Sequence, residues 1–335
     1  MINIGIIGFG YWGPNILRNF LGHPEVNVMQ VCDLNNDRLL LVRNNYPGIK
    51  VTNNANDIFF DNNIDVVAIV TPVSSHYNLA KKALMNGKSV FVEKPFTSNS
   101  GEAVELIDIA NKKNLMIMVD HTFLFTGAVK KIKEVVDGGG LGKLFYYDSV
   151  RINLGLFQHD VNVIWDLAVH DISIMDYLLD GQLPISINAV GVGHFNGKPE
   201  DVAYLTVKYK DNFIGHFHSN WLSPVKIRKT IIAGDEKMIV WNDLNSDEKV
   251  KIYDKGVHIQ NDENIYDLLV SYRSGDMHVP VIPNLEALKL EVDHFVECLN
   301  NGNEPVNSGM AGLRIVKILE AANKSLKKQG QEIII

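Results

Sequence analysis

The sequence predicts an α/β fold in two parts: a doubly wound parallel sheet, then an α+β domain with a largely antiparallel open sheet. Three observations carry this. Over roughly the first 120 residues, short apolar runs alternate with amphipathic stretches of helical length, the pattern of βαβ units. Near His121 that rhythm stops. Beyond it, strand-like runs crowd together without intervening helices, as in antiparallel sheets. The division is therefore placed at 1–121 and 122–335, although no Pro/Ser-rich linker marks it.

Taken in order, Ile2–Ile7 reads as a strand. Trp12–Leu21 reads as a helix, with Pro14 in its first turn, Leu17, Phe20 and Leu21 on one face, and Gly22 to end it. Val26–Cys32 is a strand, Leu34–Asn45 a helix, and Ile49–Thr52 a short strand. Ile64–Val70 is continuously apolar, as for a strand buried on both faces. His76–Asn86 is a helix closed by Gly87, the run to Val92 a strand, Ser100–Lys113 a helix and Leu115–Val119 a strand. In the second part, Thr126–Val136 is helical and stops at three glycines, and a longer helix covers about Val163–Leu179. Strands are expected at Ile185–His194, Ala203–Tyr209, Phe213–Asn220, Lys226–Ala233 and Lys237–Trp241. Helices at Leu285–Asn300 and Ser308–Lys328 precede an apolar tail, Ile333 to Ile335.

With 335 residues, 46% of them apolar, there is ample material for two cores. The net charge of −7 argues against a general binder of nucleic-acid backbones, which needs a basic face. The two cysteines, Cys32 and Cys298, form no CxxC and read as reduced thiols. No apolar run approaches the roughly 20 residues of a membrane span, and a core strand follows Met1 at once, leaving no room for a signal peptide. A cytoplasmic protein with no membrane partner is expected.

Gly8-Phe9-Gly10-Tyr11-Trp12-Gly13 is a G-x-G-x-x-G between a strand and a helix. The first glycine permits the tight turn, the second a close approach of backbone to pyrophosphate, and the third close helix–strand packing. The phosphates would lie against the helix N-terminus, where free N–H groups favour negative charge. Asp33 closes the next strand 20 residues after Gly13, where a carboxylate bonds the ribose hydroxyls. It would repel a 2′-phosphate, and Leu34-Asn35-Asn36 offers no arginine to hold one; Arg38 lies further on. NAD is therefore expected over NADP. Thr71-Pro72 ends the fourth strand at the same crevice, with His76 at the following helix start, as further cofactor contacts or as strand stop and packing residue.

Glu93-Lys94-Pro95 ends the Val92 strand at the edge where open α/β sheets bind ligands. With Gly8, Gly10, Gly13, Asp33, Thr71-Pro72, His76 and Asp166-x-x-x-His170, in this order and spacing, the chain resembles the Gfo/Idh/MocA oxidoreductases over essentially its whole length. Tyr11-Trp12-Gly13-Pro14-Asn15, Arg151 to Gly155 and Asn162 to Leu167 resemble a narrower subset, the sugar-nucleotide dehydrogenases of bacterial surface-polysaccharide pathways. The resemblance implies a Rossmann domain, oxidation or reduction at the pyranose C3, no metal, and a homodimer or homotetramer packed through the open sheet.

The chemistry fits these residue types. Oxidising a secondary alcohol needs a group that takes the hydroxyl proton as hydride leaves carbon, and it should titrate near neutral pH. His170 suits that role. Asp166, four residues earlier on an expected helix, faces the same way, to bond substrate or orient the imidazole. Lys94 can bond the same oxygen and favour developing alkoxide. Which of Lys94 and His170 takes the proton is open, with His170 favoured. Glu93 is read as holding Lys94 or the cofactor, and Lys94–Pro95 as a candidate cis peptide.

Arg151, Asn153 and Asn162 are read as contacts for the sugar or its diphosphate, and Trp221 as either a stacking partner for uracil or core. His159 and Asp160 fall in a loop bordering the pocket, while Asp171 and Asp176 are read as solvated or structural. His216 and His218 share one strand face, but without a third ligand they do not read as a metal site. The expected reaction is NAD-dependent oxidation at C3 of a nucleotide-linked amino sugar, best UDP-N-acetylglucosamine. Alternatives are its uronate form, a 3-ketosugar reductase, an inositol-type polyol dehydrogenase and a non-catalytic NAD-binding sensor.

Overall fold

The computed structural model describes all residues except 156–160, 196–198 and 261–268, with backbone alone for 257–260 and 269–272. The chain forms two compact units: Met1–Phe125 with Leu285–Glu320, and Thr126–Asn284 with Ala321–Ile335. The expected division kept everything after residue 121 together; the structure returns 285–320 to the first unit.

The first unit follows the expected alternation: β1 (Ile2–Ile7), α1 (Gly13–Leu21), β2 (Val26–Cys32), α2 (Asn36–Asn45), β3 (Lys50–Thr52), a single turn α3 (Asn56–Phe59), β4 (Val66–Ile69), α4 (Val73–Met85), β5 (Ser89–Glu93), α5 (Ser100–Lys113) and β6 (Ile117–Asp120). The strands lie in the order β3-β2-β1-β4-β5-β6, all parallel, so their carboxyl ends share one edge. The order reverses beside β1, where open α/β sheets take their ligands. All four residues of β4 are buried, as a strand covered on both faces requires. On α1, Leu17 and Phe20 are buried as expected, but Leu21 is 39% exposed; Ile16 completes the face instead.

The second unit holds α6 (Gly127–Asp137), β7 (Leu144–Leu154), a π-turn (Ile164–Ala168) running into α7 (Val169–Leu178), β8 (Ser186–Val192), β9 (Val202–Lys208), β10 (Ile214–Asn220), β11 (Leu222–Gly234), β12 (Met238–Asn242), β13 (Val250–Gln260) and β14 (Leu269–His278). Helices α8 (Ala287–Asn301) and α9 (Gly309–Lys327) follow, then β15 (Ile333–Ile334). Among the described residues this unit has a nine-stranded sheet, β14-β13-β12-β11-β7-β10-β9-β8-β15. It is antiparallel except that β7 and β10 run parallel. The sequence reading missed β7, its middle strand, and the edge pair β13 and β14, and left β15 as a tail.

Helix α8 joins the first unit through aromatic packing. Phe295 lies 5.5 Å from Phe91 on β5 and 6.3 Å from Phe20 on α1, in edge-to-face geometry. The segment before α9 docks on β6: the Val119 amide donates to the Asn307 carbonyl at 2.9 Å, and Asn307 Nδ2 returns a bond to the Val119 carbonyl at 2.6 Å.

Candidate active site

The Gly8 loop is shaped for close approach. Gly8 has φ +100°, and a Cβ there would stand 2.2 Å from the Val70 carbonyl oxygen, so no other residue fits. A Cβ on Gly13 would sit 3.0 Å from the Gly8 oxygen, consistent with tight loop–helix packing. Around Gly10 only Arg38 comes within 4 Å of such a position, at 3.8 Å, leaving room for a ligand. Trp12 is the N-cap of α1 but its side chain makes no capping hydrogen bond, and the first turn carries no acidic residue. This suits an anion at the helix N-terminus. Tyr11 is 91% exposed on the loop, whereas the Phe9 side chain is core.

Asp33 is buried at the carboxyl end of β2. Its Oδ2 accepts the Phe9 amide at 2.6 Å and its Oδ1 the Asn35 amide at 2.8 Å. Arg38 Nη1 stands 3.4 Å from Oδ2, so the arginine judged too distant in sequence reaches this carboxylate. Across the edge, the Thr71 hydroxyl lies 2.7 Å from that of Ser75, and Pro72 is exposed.

His76 is not at the crevice surface. It is fully buried, with Nδ1 2.9 Å from the Pro95 carbonyl and Nε2 2.7 Å from the Thr71 carbonyl. Because a neutral imidazole donates through only one nitrogen, bonding both carbonyls would need the cation. Burial opposes that and pushes His76 below its ordinary pKa, while the bonds to Thr71 and Pro95 pull it up. His76 thus buttresses the Thr71 loop against the Lys94–Pro95 turn rather than offering a cofactor contact. That peptide is cis.

Glu93 ends β5 opposite Asp120 of β6. Burial, then the Asp120 charge, push Glu93 well above the usual carboxylate range, and Lys94 partly offsets this. Asp120 is 2% exposed and accepts the Trp12 indole N–H at 3.2 Å and the Thr122 hydroxyl. It therefore ties the G-x-G-x-x-G loop to the strand ends. Beside it, burial and then the Lys94 charge press His121 down to about 3, keeping it neutral. Sequence reasoning missed Asp120; its signal was an acidic residue closing an apolar strand next to Glu93's.

In the second unit, Asp166 lies in the π-turn and His170 in the first turn of α7. Such turns are frequent at functional sites. Trp221 Nε1 donates to Asp166 Oδ2 at 3.0 Å, and Ser173 Oγ to the His170 carbonyl at 2.7 Å. Trp221 is 1% exposed, so it resolves as core rather than as a platform for uracil. A Cβ on Gly155 would stand 3.0 Å from Asn153 Nδ2 and 2.8 Å from the Trp221 ring, which places Asn153 next to the Trp221–Asp166 pair.

Two expected substrate contacts are corrected. Arg151 is 3% exposed, and its Nε and Nη2 donate to the two oxygens of Asp171 at 2.8 and 2.7 Å. The pair fastens β7 to α7, and Asp171 is structural. Asn162, 7% exposed, caps the π-turn through the Trp165 amide at 3.2 Å and donates to Glu200 and Asn323, both at 3.0 Å. Both side chains are buried and engaged within the unit. His216 and His218 stack on Tyr204 with ring centroids 6.4 and 4.4 Å away. Among the described residues no three His, Cys, Asp or Glu side chains gather as metal ligands. His159 and Asp160 lie outside the described residues.

Two sequence families match in tandem. One, described as an oxidoreductase family with an NAD-binding Rossmann fold, covers residues 2–121. The other, the GFO/IDH/MocA C-terminal domain, covers residues 129–240. The chain belongs to the Gfo/Idh/MocA oxidoreductases. As a member it is an NAD-dependent oxidoreductase, and its parallel sheet with a mostly antiparallel second sheet is the family's fold. Among curated Gfo/Idh/MocA relatives, a scyllo-inositol 2-dehydrogenase (NAD(+)) of Bacillus subtilis is 26% identical over 81% of this chain and 78% of its own length. A UDP-N-acetylglucosamine 3-dehydrogenase of Acidithiobacillus ferrooxidans is also 26% identical, over 76% of each. The solved structure of the Acidithiobacillus ferrooxidans UDP-N-acetylglucosamine 3-dehydrogenase GnnA superposes with a TM-score of 0.81, covering 98% of this chain and 99% of that one at 22% identity. That likeness speaks for the fold. Both of these relatives are named as dehydrogenases. Among the described residues no helix is long and apolar enough to cross a membrane.

Proposed function

We propose that the chain oxidises the C3 hydroxyl of a nucleotide-linked amino sugar, UDP-N-acetylglucosamine being the favoured substrate, to the 3-keto sugar. The observation that carries this is the joint presence of Lys94 at the β5 edge and of the Asp166–His170 pair. The similarity to the Acidithiobacillus ferrooxidans 3-dehydrogenase supports it. In the proposed reaction His170 takes the hydroxyl proton while Lys94 donates a hydrogen bond to the same oxygen, favouring alkoxide character as the carbon–hydrogen bond breaks. Asp166, anchored by Trp221, bonds a neighbouring hydroxyl or orients the imidazole. NAD supplies the hydride acceptor. Gly8, Gly10, Gly13 and the α1 N-terminus would hold its pyrophosphate, and Asp33 its ribose. We assign the protein to the cytoplasm, in keeping with its two free buried cysteines, and to a homodimer or homotetramer.

One observation favours a second reading, oxidation of a free inositol-type polyol. Arg151, read as a contact for the sugar or its diphosphate, is bonded to Asp171 inside the second unit. The equal identity to the scyllo-inositol enzyme points the same way. The test is absorbance at 340 nm with NAD and a panel of UDP-amino sugars, their uronates and inositols, with product removal because alcohol oxidation by NAD is uphill. Turnover of UDP-N-acetylglucosamine supports the first reading. Turnover of inositols alone overturns it in favour of the second.

A further inference from the structure

Among the described residues a third carboxyl group joins Glu93 and Asp120 at the ends of β5 and β6. Glu291, on α8, is completely buried. Its Oε1 accepts Asn307 Nδ2 at 2.8 Å. Its Oε2 is buried without a hydrogen-bond partner among the described residues, with the Asp120 carboxyl and the Thr122 hydroxyl as its polar neighbours. Glu93 stands opposite Asp120 on the adjoining strand and completes the group. The other groups facing it are the indole of Trp12, the hydroxyl of Thr122, the amide of Asn307, the cation of Lys94 and the neutral ring of His121. Three full negative charges together, on buried Asp120 and Glu291 and half-buried Glu93, would be unfavourable even beside Lys94. At neutral pH the group therefore keeps at least one proton. Burial and then the Asp120 charge push Glu291 well above the usual carboxylate range, in accord with this geometry.

We propose that Glu291 and Glu93, grouped with Asp120, hold a proton coupled to the charge of the nicotinamide: it leaves for solvent when the oxidised cofactor binds and is retained when the reduced cofactor binds. The proposal rests on the cofactor reading and takes Glu93 and Lys94, at the end of β5, to meet the nicotinamide. The step is a plain ionisation: one carboxyl O–H breaks, the proton goes to water, and no electron changes hands. An approaching positive charge favours carboxylate over acid. Both cofactor forms carry the same phosphates and differ by the one positive charge of the ring, so their difference isolates this effect. Glu291 would act as a positioning residue, its own charge state bearing on the Asp120 contact that holds Trp12 of the cofactor loop.

Calorimetric titration of the protein with NAD+ and with NADH, in buffers of different ionisation enthalpy between pH 6 and 9, counts the protons exchanged. NAD+ should release more than NADH, by a difference approaching about one proton per chain at its largest. Glu291→Gln keeps an oxygen for Asn307 and puts an amide N–H in place of the carboxyl proton. It should bind NAD+ while the NAD+/NADH difference falls by at least half. Equal proton counts for the two forms in the unaltered protein, or an undiminished difference in Glu291→Gln, would overturn the proposal. If that variant does not fold, the unaltered protein still decides. Failure of both forms to bind would overturn the cofactor reading and the proposal together.

Discussion

Asp33 serves the protein and the cofactor with one carboxylate. Its oxygens hold the Phe9 and Asn35 amides, so the group that reads the ribose also fixes the loop that receives the phosphates. Arg38, 3.4 Å away, is the residue that its removal would release. Asp33→Ser should therefore lower kcat/KM for NAD and raise that for NADP, shifting the ratio about tenfold or more, the scale of one charge-assisted hydrogen bond. Initial rates with the two cofactors check it, and an unchanged ratio would deny Asp33 its selective role. At the chemical residues, His170→Ala should cost about 10²- to 10⁴-fold in kcat and flatten the limb of the pH–rate profile that reports the base. If Lys94→Ala flattens that limb instead, the proton-accepting role belongs to Lys94.

Elements explain which residues sequence reasoning placed well. The strand ends carrying Gly8, Asp33, Thr71 and Lys94 were legible because a parallel sheet puts every carboxyl end on one edge, and the apolar runs marking those strands are nearly uninterrupted. Strand β7 was not legible, because polar Ser149 and Arg151 take buried positions along it. Such a residue reads as a site when its partner is far off in sequence, and Asp171 was not recognised as that partner. Asn162 misled for the same reason, a buried hydrogen-bonding side chain looking like a ligand contact until its internal partners are seen, while His76 resolves to the packing alternative. Arg151→Met should accordingly destabilise the second unit by about 3–5 kcal/mol, because Asp171 would be left as an uncompensated buried charge. Denaturant unfolding measures this. If the variant instead keeps full stability and only its substrate KM rises, Arg151 is a substrate contact after all.

At the scale of the whole molecule, buried titratable groups shape stability against pH. Glu93 and Glu291 have folded pKa values above their unfolded ones, so the native state holds more protons. Their stabilisation is full below about pH 4.3 and declines as pH rises through the folded values. His121 works in the opposite sense: pressed down to about 3, it costs stability as pH falls from about 6.5 towards 3. Above about pH 6.5 the carboxylates lower stability as pH rises, joined above about pH 8.5 by the raised thiols of Cys32 and Cys298, so thermal melts there should show stability falling with pH. Glu291→Gln should make that decline shallower; an unchanged slope would place the protons elsewhere.

The first unit's return segment has a consequence for how the chain is made. Phe295, Glu291 and Asn307 complete a unit whose sheet is finished at Asp120, and the whole stretch 126–284 is synthesised in between. At about 5–20 residues per second, roughly 8–30 s separate the two halves of that unit. During this interval Phe20 and Phe91 lack their aromatic neighbour, and Val119 lacks both hydrogen bonds to Asn307. The cofactor-binding unit is thus begun first on the ribosome and finished late, a window in which a chaperone or the bound dinucleotide itself has most to contribute.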